Sequence, residues 1–290
     1  MKKKKRIFMG LIITALIVSS SIISSCQIKK GSDITAMGST SVQPYAEMLA
    51  EIYENDHSGC KVEVQGGGSS LGISAAKSGI ADIGMSSRNL KDTEKDDLWE
   101  PVEIAKDGLA VIVHPDNPVK NLSLTLEQIR KIYMGEITNW KEVGGNDDKI
   151  HVITREEGSG TRAAFEDLVM VVKIGEDKQK YPITPRAIVQ DSNGSVRFSV
   201  SDDKNSIGFI SLGLVEAEKG QKEVVALMLE GVEASVENII NGSYKLSRPF
   251  LFVTKEEPAG LTKQFIDFVL SPIGQEILKK EGLIPSHAGE

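Results

Sequence analysis

The chain has 290 residues, of which 40% are hydrophobic and 26% charged, so it can form one large domain or two smaller ones and is too polar to cross a membrane many times. Its net charge is −7, and because residues 1–25 hold five basic side chains and no acidic one, the rest of the chain carries −12. This acidic body excludes a nucleic-acid groove. Two cysteines exclude a disulfide scaffold, and without a clustered Cys/His set we expect no metal site.

The N-terminus has the pattern of an export signal. Basic residues 2–6 precede an uncharged segment whose strongly apolar part, residues 7–18, has the length of a signal-peptide h-region and is too short for a membrane span. The segment ends in the sequence ISSC at residues 23–26, which resembles a bacterial lipobox. That resemblance implies cleavage before Cys26 and a lipid on its thiol. Residues 26–32 would then be a polar tether on the outer face of the cell membrane, and an uncleaved anchor is the alternative.

From residue 33 onward, short apolar runs alternate with segments of helical periodicity. Strand-like apolar runs occupy residues 34–37, 60–64, 80–84, 108–114, 150–154 and 248–254. Apolar residues recur at helical spacing in residues 42–52, 69–78, 125–133, 164–168 and 261–269. Repeated strand–helix units of this kind predict an α/β fold with mainly parallel sheets flanked by helices.

The C-terminal helices predict that the chain leaves its first domain and later returns to it. We therefore expect two lobes, each a mainly parallel sheet flanked by helices. Lobe I comprises residues 33–114 and 246–290, and lobe II comprises residues 115–245. The two crossover segments are predicted near residues 112–118 and 243–250.

Three serine-rich loops each precede a predicted helix. Their sequences are GSTSV at residues 38–42, QGGGSSLG at 65–72 and REEGSGTR at 155–162. Each loop places hydroxyl groups and unpaired backbone N–H groups at the positive end of a helix, where anions bind. For any one loop taken alone, ordinary helix capping is the favoured explanation. Three such loops, one of which carries Arg155, favour one shared small anion at the carboxyl ends of the strands.

These loops, together with ADIGMSS at residues 81–87, resemble the phosphate-binding proteins of bacterial phosphate ABC transporters, which are two-domain periplasmic binding proteins. The resemblance extends over about residues 33–285. It implies a monomeric receptor that captures inorganic phosphate between its lobes and delivers it to transmembrane permease subunits served by a separate ATPase. It implies no enzymatic activity, no cofactor and no nucleic-acid partner. The implied phosphate-binding residues are Ser39, Thr40, Ser41, Ser69, Ser87, Arg155, Glu157, Ser159, Gly160 and Thr161.

Two positions depart from the pattern of the family. Ser87 stands where many relatives have an acidic residue that accepts the proton of phosphate, and Glu157 stands where an aspartate is usual. The acceptor in this chain would be Glu157, or Ser87 together with a backbone carbonyl, and a serine would reject sulfate less sharply. The neighbouring Arg88 is either a further cation of the site or a surface residue.

The sequence also leaves other functions open. One is a secreted phosphoester hydrolase or phosphotransferase with Ser39, Ser69 or Ser159 as nucleophile, although the residues around Ser159, GSG at 158–160, lack the G-x-S-x-G motif. Another is a receptor for a different tetrahedral oxyanion such as sulfate. A sensor or adhesin that uses the same fold without transport is the third.

Overall fold

The fold is described by a computed structural model over residues 33–216 and 223–286. The predicted signal peptide and tether lie outside these residues. The strands are β1 (Asp33–Gly38), β2 (Lys61–Gly66), β3 (Ile83–Ser86), β4 (Val102–Val113), β5 (Ser123–Leu124), β6 (His151–Arg155), β7 (Val171–Ile174), β8 (Asp177–Lys180), β9 (Ile188–Gln190), β10 (Ser206–Ser211), β11 (Val225–Ala226), β12 (Met228–Leu229), β13 (Ser247–Val253) and β14 (Ile284–Pro285).

The helices lie between these strands and at the C-terminus. They are α1 (Gln43–Asp56), α2 (Ser69–Ser78), α3 (Asp92–Lys95), α4 (Leu126–Met134), α5 (Gly160–Phe165), α6 (Asn193–Asp202), α7 (Val236–Ile240), α8 (Gly260–Leu270) and α9 (Pro272–Lys280). A π-helical turn, Glu166–Met170, continues α5. The helix predicted at residues 69–78 is confirmed with those bounds, and α2 ends there because Gly79 adopts the left-handed conformation, with φ of +72°.

Helix α4 shows how the local sequence sets the ends of an element. Its N-cap, Thr125, accepts a hydrogen bond from the backbone N–H of Gln128, and the Gln128 side chain accepts one from the Thr125 N–H. This reciprocal capping box satisfies two of the donors that a helix start leaves unpaired. Gly135, at φ of +78°, then ends the helix in the left-handed conformation.

One large sheet runs through the molecule in the order β2-β1-β3-β13-β4-β10-β6-β9. The outer pairs β1–β3, β10–β6 and β6–β9 are parallel, as predicted for strand–helix units. The long central strands β13 and β4 are antiparallel to each other, and they pair antiparallel with β3 and β10 respectively. The α/β class is confirmed, and the central strands make the sheet mixed.

Two main hydrophobic cores lie along this sheet. We call them core I, which contains β1, α1, β3, α8 and the first half of β4, and core II, which contains α4, α5, β10 and the second half of β4. A further apolar cluster covers the opposite face of β4 and β10, where Ala110 and Ile112 pack against α6. Because successive side chains of a strand point to opposite faces, the all-apolar end of β4 is buried on both sides.

The chain passes between the two cores on its two central strands. Along β4, Ala105 packs in core I and Leu109 packs in core II. Around β13, Leu246 packs in core II and Phe250 packs in core I. The first passage between the cores comes a few residues before the predicted lobe boundary at residues 114/115. The second lies beside the predicted boundary at residues 245/246. The lobe boundaries themselves stay a prediction.

Within residues 33–216 and 223–286, the helices are all too short or too polar to span a bilayer.

An aromatic cluster at the centre of core II predicts a large loss of stability on truncation. Phe209 of β10 is fully buried and stacks on Phe165 with 4.1 Å between ring centroids. We expect Phe209→Ala to lower the free energy of unfolding by about 3–5 kcal/mol, because lost burial and a residual cavity add. Denaturant unfolding measures this change. As a control, Ile174→Ala removes a half-exposed side chain and should change stability by less than about 0.5 kcal/mol.

Candidate anion-binding site

The loops that follow β1, β2, β3 and β6 meet at one place, at the carboxyl ends of these strands. Their approach depends on glycine. A Cβ atom on Gly72, in the first turn of α2, would lie 2.8 Å from both the Gly38 Cα and the Met85 carbonyl oxygen. Gly38 itself has φ of +138°, which side chains rarely allow. The first turn of α2 therefore packs directly against the ends of β1 and β3.

Hydroxyl groups from these loops form a buried cluster. The Ser41 and Thr161 hydroxyl oxygens are 2.9 Å apart, although the two residues belong to loops on opposite sides of the molecule. The Ser69 and Ser87 hydroxyl oxygens are 3.4 Å apart, and the Ser87 backbone N–H donates to the Ser69 oxygen at 3.0 Å. All four side chains are at most 1% exposed. The predicted residues Ser41, Ser69, Ser87 and Thr161 are thus brought together.

Gly160 brings the loop after β6 into contact with the other loops. A Cβ atom at this position would overlap the Ser69 hydroxyl oxygen and would lie 2.5 Å from the Ser87 hydroxyl oxygen. The Ser70 N–H also donates to the Gly158 carbonyl at 3.0 Å, across the same contact. The side of core I and the side of core II therefore meet directly through these loops.

Arg155 is the buried cation at the end of β6. Its side chain is 1% exposed, its Nε and Nη2 donate to Glu156 at 2.8 Å each, and its Nη2 also donates to the Asp191 carbonyl at 3.1 Å. Its Nη1 is buried and has no hydrogen-bond partner. An unsatisfied buried guanidinium donor is costly, so this atom is suited to an anionic ligand.

The other predicted residues have more local roles, or lie apart. Ser39 accepts hydrogen bonds from the backbone N–H groups of its own turn, and Ser159 caps α5 by accepting from the Arg162 N–H. Thr40 joins the cluster through Asn193. Glu157 is exposed, and the structure does not bring its carboxylate to the buried hydroxyls. The partner of Arg155 is the neighbouring Glu156.

The cluster contains a second buried arginine, Arg248, which was not predicted from the sequence. Arg248 of β13 donates through Nη2 to the Ser41 hydroxyl at 2.9 Å and through Nη1 to the Ser87 hydroxyl at 3.4 Å. Its Nε and Nη2 also donate to Asp107 at 3.1 and 2.9 Å, and Ser211 donates to the other oxygen of that carboxylate at 2.8 Å. The signal available in the sequence was a charged residue within a mostly apolar strand segment at each position, Asp107 in β4 and Arg248 in β13.

Burial and neighbouring charges act in opposite directions on this pair. Burial raises the pKa of the Asp107 carboxyl, while Arg248 and the Ser211 hydroxyl oppose the rise. Burial lowers the pKa of the Arg248 guanidinium and Asp107 opposes that shift, while the nearby Arg155 adds to it. The charge of Arg155 therefore acts on Arg248 within the same buried region.

Asn193, at the start of α6, links both sides of the cluster. Its amide NH2 donates to the Thr40 hydroxyl at 3.0 Å and to the Ser41 hydroxyl at 2.9 Å. Its amide oxygen accepts from the Ser211 N–H at 3.3 Å. The preceding residue, Ser192, caps α6 by accepting from the Ser195 N–H at 3.0 Å.

Arg88 is neither a surface residue nor a group aimed at the cluster. Its side chain is 6% exposed, and it forms a bidentate pair with Glu94 at 2.7 and 2.8 Å. It also donates to the Ser70 hydroxyl at 3.0 Å. Arg88 therefore stabilises the loop after β2, because its guanidinium donates to Ser70 of that loop and to Glu94.

Comparison with known proteins identifies the family. Residues 25–272 match the model of the PBP superfamily domain. The chain belongs to the PBP superfamily. It is 30% identical over 300 residues to the phosphate-binding protein PstS of Bacillus subtilis, a match that covers 98% of this chain and 95% of that relative. The resemblance found in the sequence, to the substrate-binding proteins of phosphate ABC transporters, is confirmed.

Two solved structures share this fold. One is a protein from Clostridium perfringens described as a phosphate ABC transporter substrate-binding protein with bound phosphate. Its identity is 46% and its TM-score 0.79, over 87% of this chain and 99% of that chain. The other is an ABC-type phosphate transport receptor from Vibrio cholerae, with 41% identity and a TM-score of 0.69 over the same shares of the two chains.

The buried Arg248–Asp107 pair yields a stability prediction. Asp107→Asn keeps the shape of the side chain but leaves the guanidinium buried without its anion, so the free energy of unfolding should fall by about 3–5 kcal/mol. Denaturant unfolding in phosphate-free buffer measures the loss.

The matched control for this prediction is Asp267→Ala, which breaks an exposed pair with Lys263 and should have little effect. The double variant Asp107→Leu with Arg248→Met should be more stable than Asp107→Asn, because both charges leave together. An Asp107→Asn variant as stable as the control would contradict the prediction.

Proposed function

We propose that this protein is an extracytoplasmic receptor that binds inorganic phosphate between its two lobes and delivers it to an ABC-type phosphate permease. The observation that carries this proposal is Arg155, a buried guanidinium whose Nη1 lacks a partner beside a cluster of buried hydroxyls. A tetrahedral oxyanion offers acceptor oxygens in several directions, so it can accept from an arginine and several hydroxyls at once.

The site can hold an anion although the chain is acidic. Most of its donors are neutral hydroxyls, and the helices α1 and α2 begin at the same loops with their positive ends. Such donors act over a few ångströms in a buried site, where the charge of the outer surface is screened. Local polarity can therefore favour a small anion in a chain whose mature part has a net charge of −12.

Comparison with the relatives supports the same ligand. The PstS relative is named a phosphate-binding protein, and the Clostridium perfringens protein was crystallised with phosphate. Both match most of this chain, over 98% and 87% of its length. We infer phosphate for this chain from that match together with its own buried arginine and hydroxyls.

The site supports binding rather than hydrolysis. A nucleophilic serine needs a neighbouring base, and the hydroxyl oxygens of Ser39, Ser69 and Ser159 instead accept hydrogen bonds from backbone N–H groups. His151, the histidine that precedes the Arg155 loop, instead bonds to Asp203 at 2.6 Å. The relatives are transport receptors, and we propose that this chain likewise performs no chemistry.

Release of the ion would require the lobes to part. In this structure Ser41–Thr161 and Ser70–Gly158 hydrogen bonds already join the two sides. Hinge opening is the usual transition of periplasmic binding proteins, and here it would break these bonds. We propose that a monomer presents the ion to transmembrane permease subunits and that a separate ATPase drives transport.

Phosphate titration tests the proposal directly. By calorimetry in phosphate-free buffer, we expect one site per chain with a Kd on the order of micromolar or tighter. Arg155→Ala should weaken binding about 10- to 100-fold, because a charge-assisted hydrogen bond contributes about 1.5–3 kcal/mol. The control is Arg186→Ala, an exposed arginine of the same half, which should bind normally. Absence of heat with phosphate would refute the proposed function.

We also propose that the protein is anchored by a lipid on Cys26, which lies outside the described residues. The support is the ISSC sequence after a short apolar segment. In cells, the protein should partition into detergent and label with fatty acid, whereas Cys26→Ala should do neither. Cys60→Ala, which removes the other cysteine, is the control and should remain lipidated. Equal partitioning of Cys26→Ala and the unchanged protein would rule out the anchor.

A further inference from the structure

The segment between β9 and α6 lies beside the anion site, although it is not one of the three serine-rich loops. The carbonyl of its first residue, Asp191, accepts a hydrogen bond from Arg155 Nη2 at 3.1 Å. Local hydrogen bonds fix the segment, because Ser192 caps α6 and the Ser195 hydroxyl donates to the Asp191 carboxylate at 2.8 Å. The next residue, Asn193, is therefore held in place close to Arg155.

Asn193 is attached to the side of the molecule that contains β10. It is the first residue of α6, which packs through Val196 and Val200 against the central strands β4 and β10. The Asn193 amide oxygen also accepts from the backbone N–H of Ser211 in β10, at 3.3 Å. This bond fixes which way round the amide lies, because a backbone N–H can only donate.

The amide NH2 of Asn193 reaches the other side of the molecule. It donates to the Thr40 hydroxyl at 3.0 Å and to the Ser41 hydroxyl at 2.9 Å. Thr40 and Ser41 precede α1, whose side chains Tyr45 and Leu49 pack in core I. The side chain of Asn193 is 2% exposed, so both bonds lie in the interior. Asn193 thus joins α6 to the first loop of the site.

The hydrogen bonds of Asn193 leave it no donor for an anionic ligand. A side-chain amide has two N–H groups, and here Thr40 and Ser41 accept from them. The lone pair that remains on its oxygen can only accept, so it cannot bond to an anionic oxygen. The residue therefore acts on the site through the hydroxyls that it holds rather than through the ligand.

The Ser41 hydroxyl passes this influence on to Thr161. Its oxygen accepts from two groups that can only donate, Asn193 Nδ2 and Arg248 Nη2, both at 2.9 Å. The proton of Ser41 is consequently directed to the Thr161 hydroxyl oxygen, 2.9 Å away. Asn193 thereby affects the orientation of hydroxyl groups on both sides of the cluster.

We propose that Asn193 is a positioning residue of the anion site, which holds the first loop against α6 and thereby sets how slowly bound phosphate is released. This inference rests on the proposed function. Hinge opening separates the first loop from α6 and breaks both Asn193 bonds, so these bonds oppose release. An ion enters while the two sides are apart, before the bonds form, so they do not affect its association.

Replacing Asn193 by alanine tests the inference. Asn193→Ala removes both bonds to the first loop and keeps Ser192 as the cap of α6, so radiolabelled phosphate should leave about tenfold faster into an excess of unlabelled phosphate. Calorimetry gives the affinity, and the association rate calculated from the two measurements should change by less than about twofold. A purely structural role would lower the free energy of unfolding without separating release from association in this way.

Asn241→Ala is the matched control. Asn241 is an exposed asparagine at the end of α7, and its side-chain oxygen accepts from the backbone N–H of Ser243. Its replacement changes the same type of side chain away from the hydroxyl cluster. Release and association of phosphate should both stay within about twofold of the unchanged protein.

A double-mutant cycle tests whether Asn193 acts through the first loop. Thr40→Val removes the acceptor of one of its two bonds, so the further effect of Asn193→Ala on release should fall from about tenfold to about threefold in that background. Ser159→Ala provides the comparison, because the Ser159 hydroxyl accepts from the Arg162 N–H and not from Asn193. In the Ser159→Ala background the effect of Asn193→Ala should remain about tenfold.

Each outcome decides the question. Faster release, an unchanged association rate and a smaller effect beside Thr40→Val support the inference. Unchanged release from Asn193→Ala, a loss of affinity that comes from slower association, or an undiminished effect beside Thr40→Val overturns it and leaves the proposed function intact. If the unchanged protein binds no phosphate, the proposed function itself is refuted.

Discussion

The ion pair between Arg248 and Asp107 is the interaction on which both the fold and the site depend. The two residues lie opposite each other on the antiparallel strands β13 and β4, close to where the chain passes between its two cores. Both side chains are at most 2% exposed. Neither charge is tolerable there alone, so the pair holds the central strands in one register and fixes the direction of the arginine.

From this pair, hydrogen bonds extend directly into the loops after β1 and β3. Arg248 reaches Ser41 and Ser87 on one side, and Asp107 accepts from Ser211, whose backbone N–H in turn donates to Asn193. Each hydrogen bond fixes the donor and acceptor roles of the next group, so the buried hydroxyls have defined positions and orientations.

The net charge of the chain is acidic, but the charges at the site are balanced within local ion pairs. The surface is acidic, whereas each buried arginine at the site is balanced by a neighbouring carboxylate. Ligand binding in such a site depends on directed donors rather than on excess positive charge. The same arrangement explains why Arg88 is not a ligand group, since its guanidinium is engaged by Glu94 and Ser70.

The sequence by itself determined the approximate places of six strands (β1, β2, β3, β4, β6 and β13) and five helices (α1, α2, α4, α5 and α8), together with the three serine-rich loops and Arg155. Those features are local, because helical periodicity, caps and glycine turns depend on neighbours a few residues apart. Only the tertiary structure decided that Glu156 rather than Glu157 holds Arg155, and that Arg248 enters the site. Arg248 and Asp107 are 141 positions apart in the chain, so nothing in either local segment indicates the other. The pairing arises because the two central strands run antiparallel through the interior, where each buried charge requires an opposite partner.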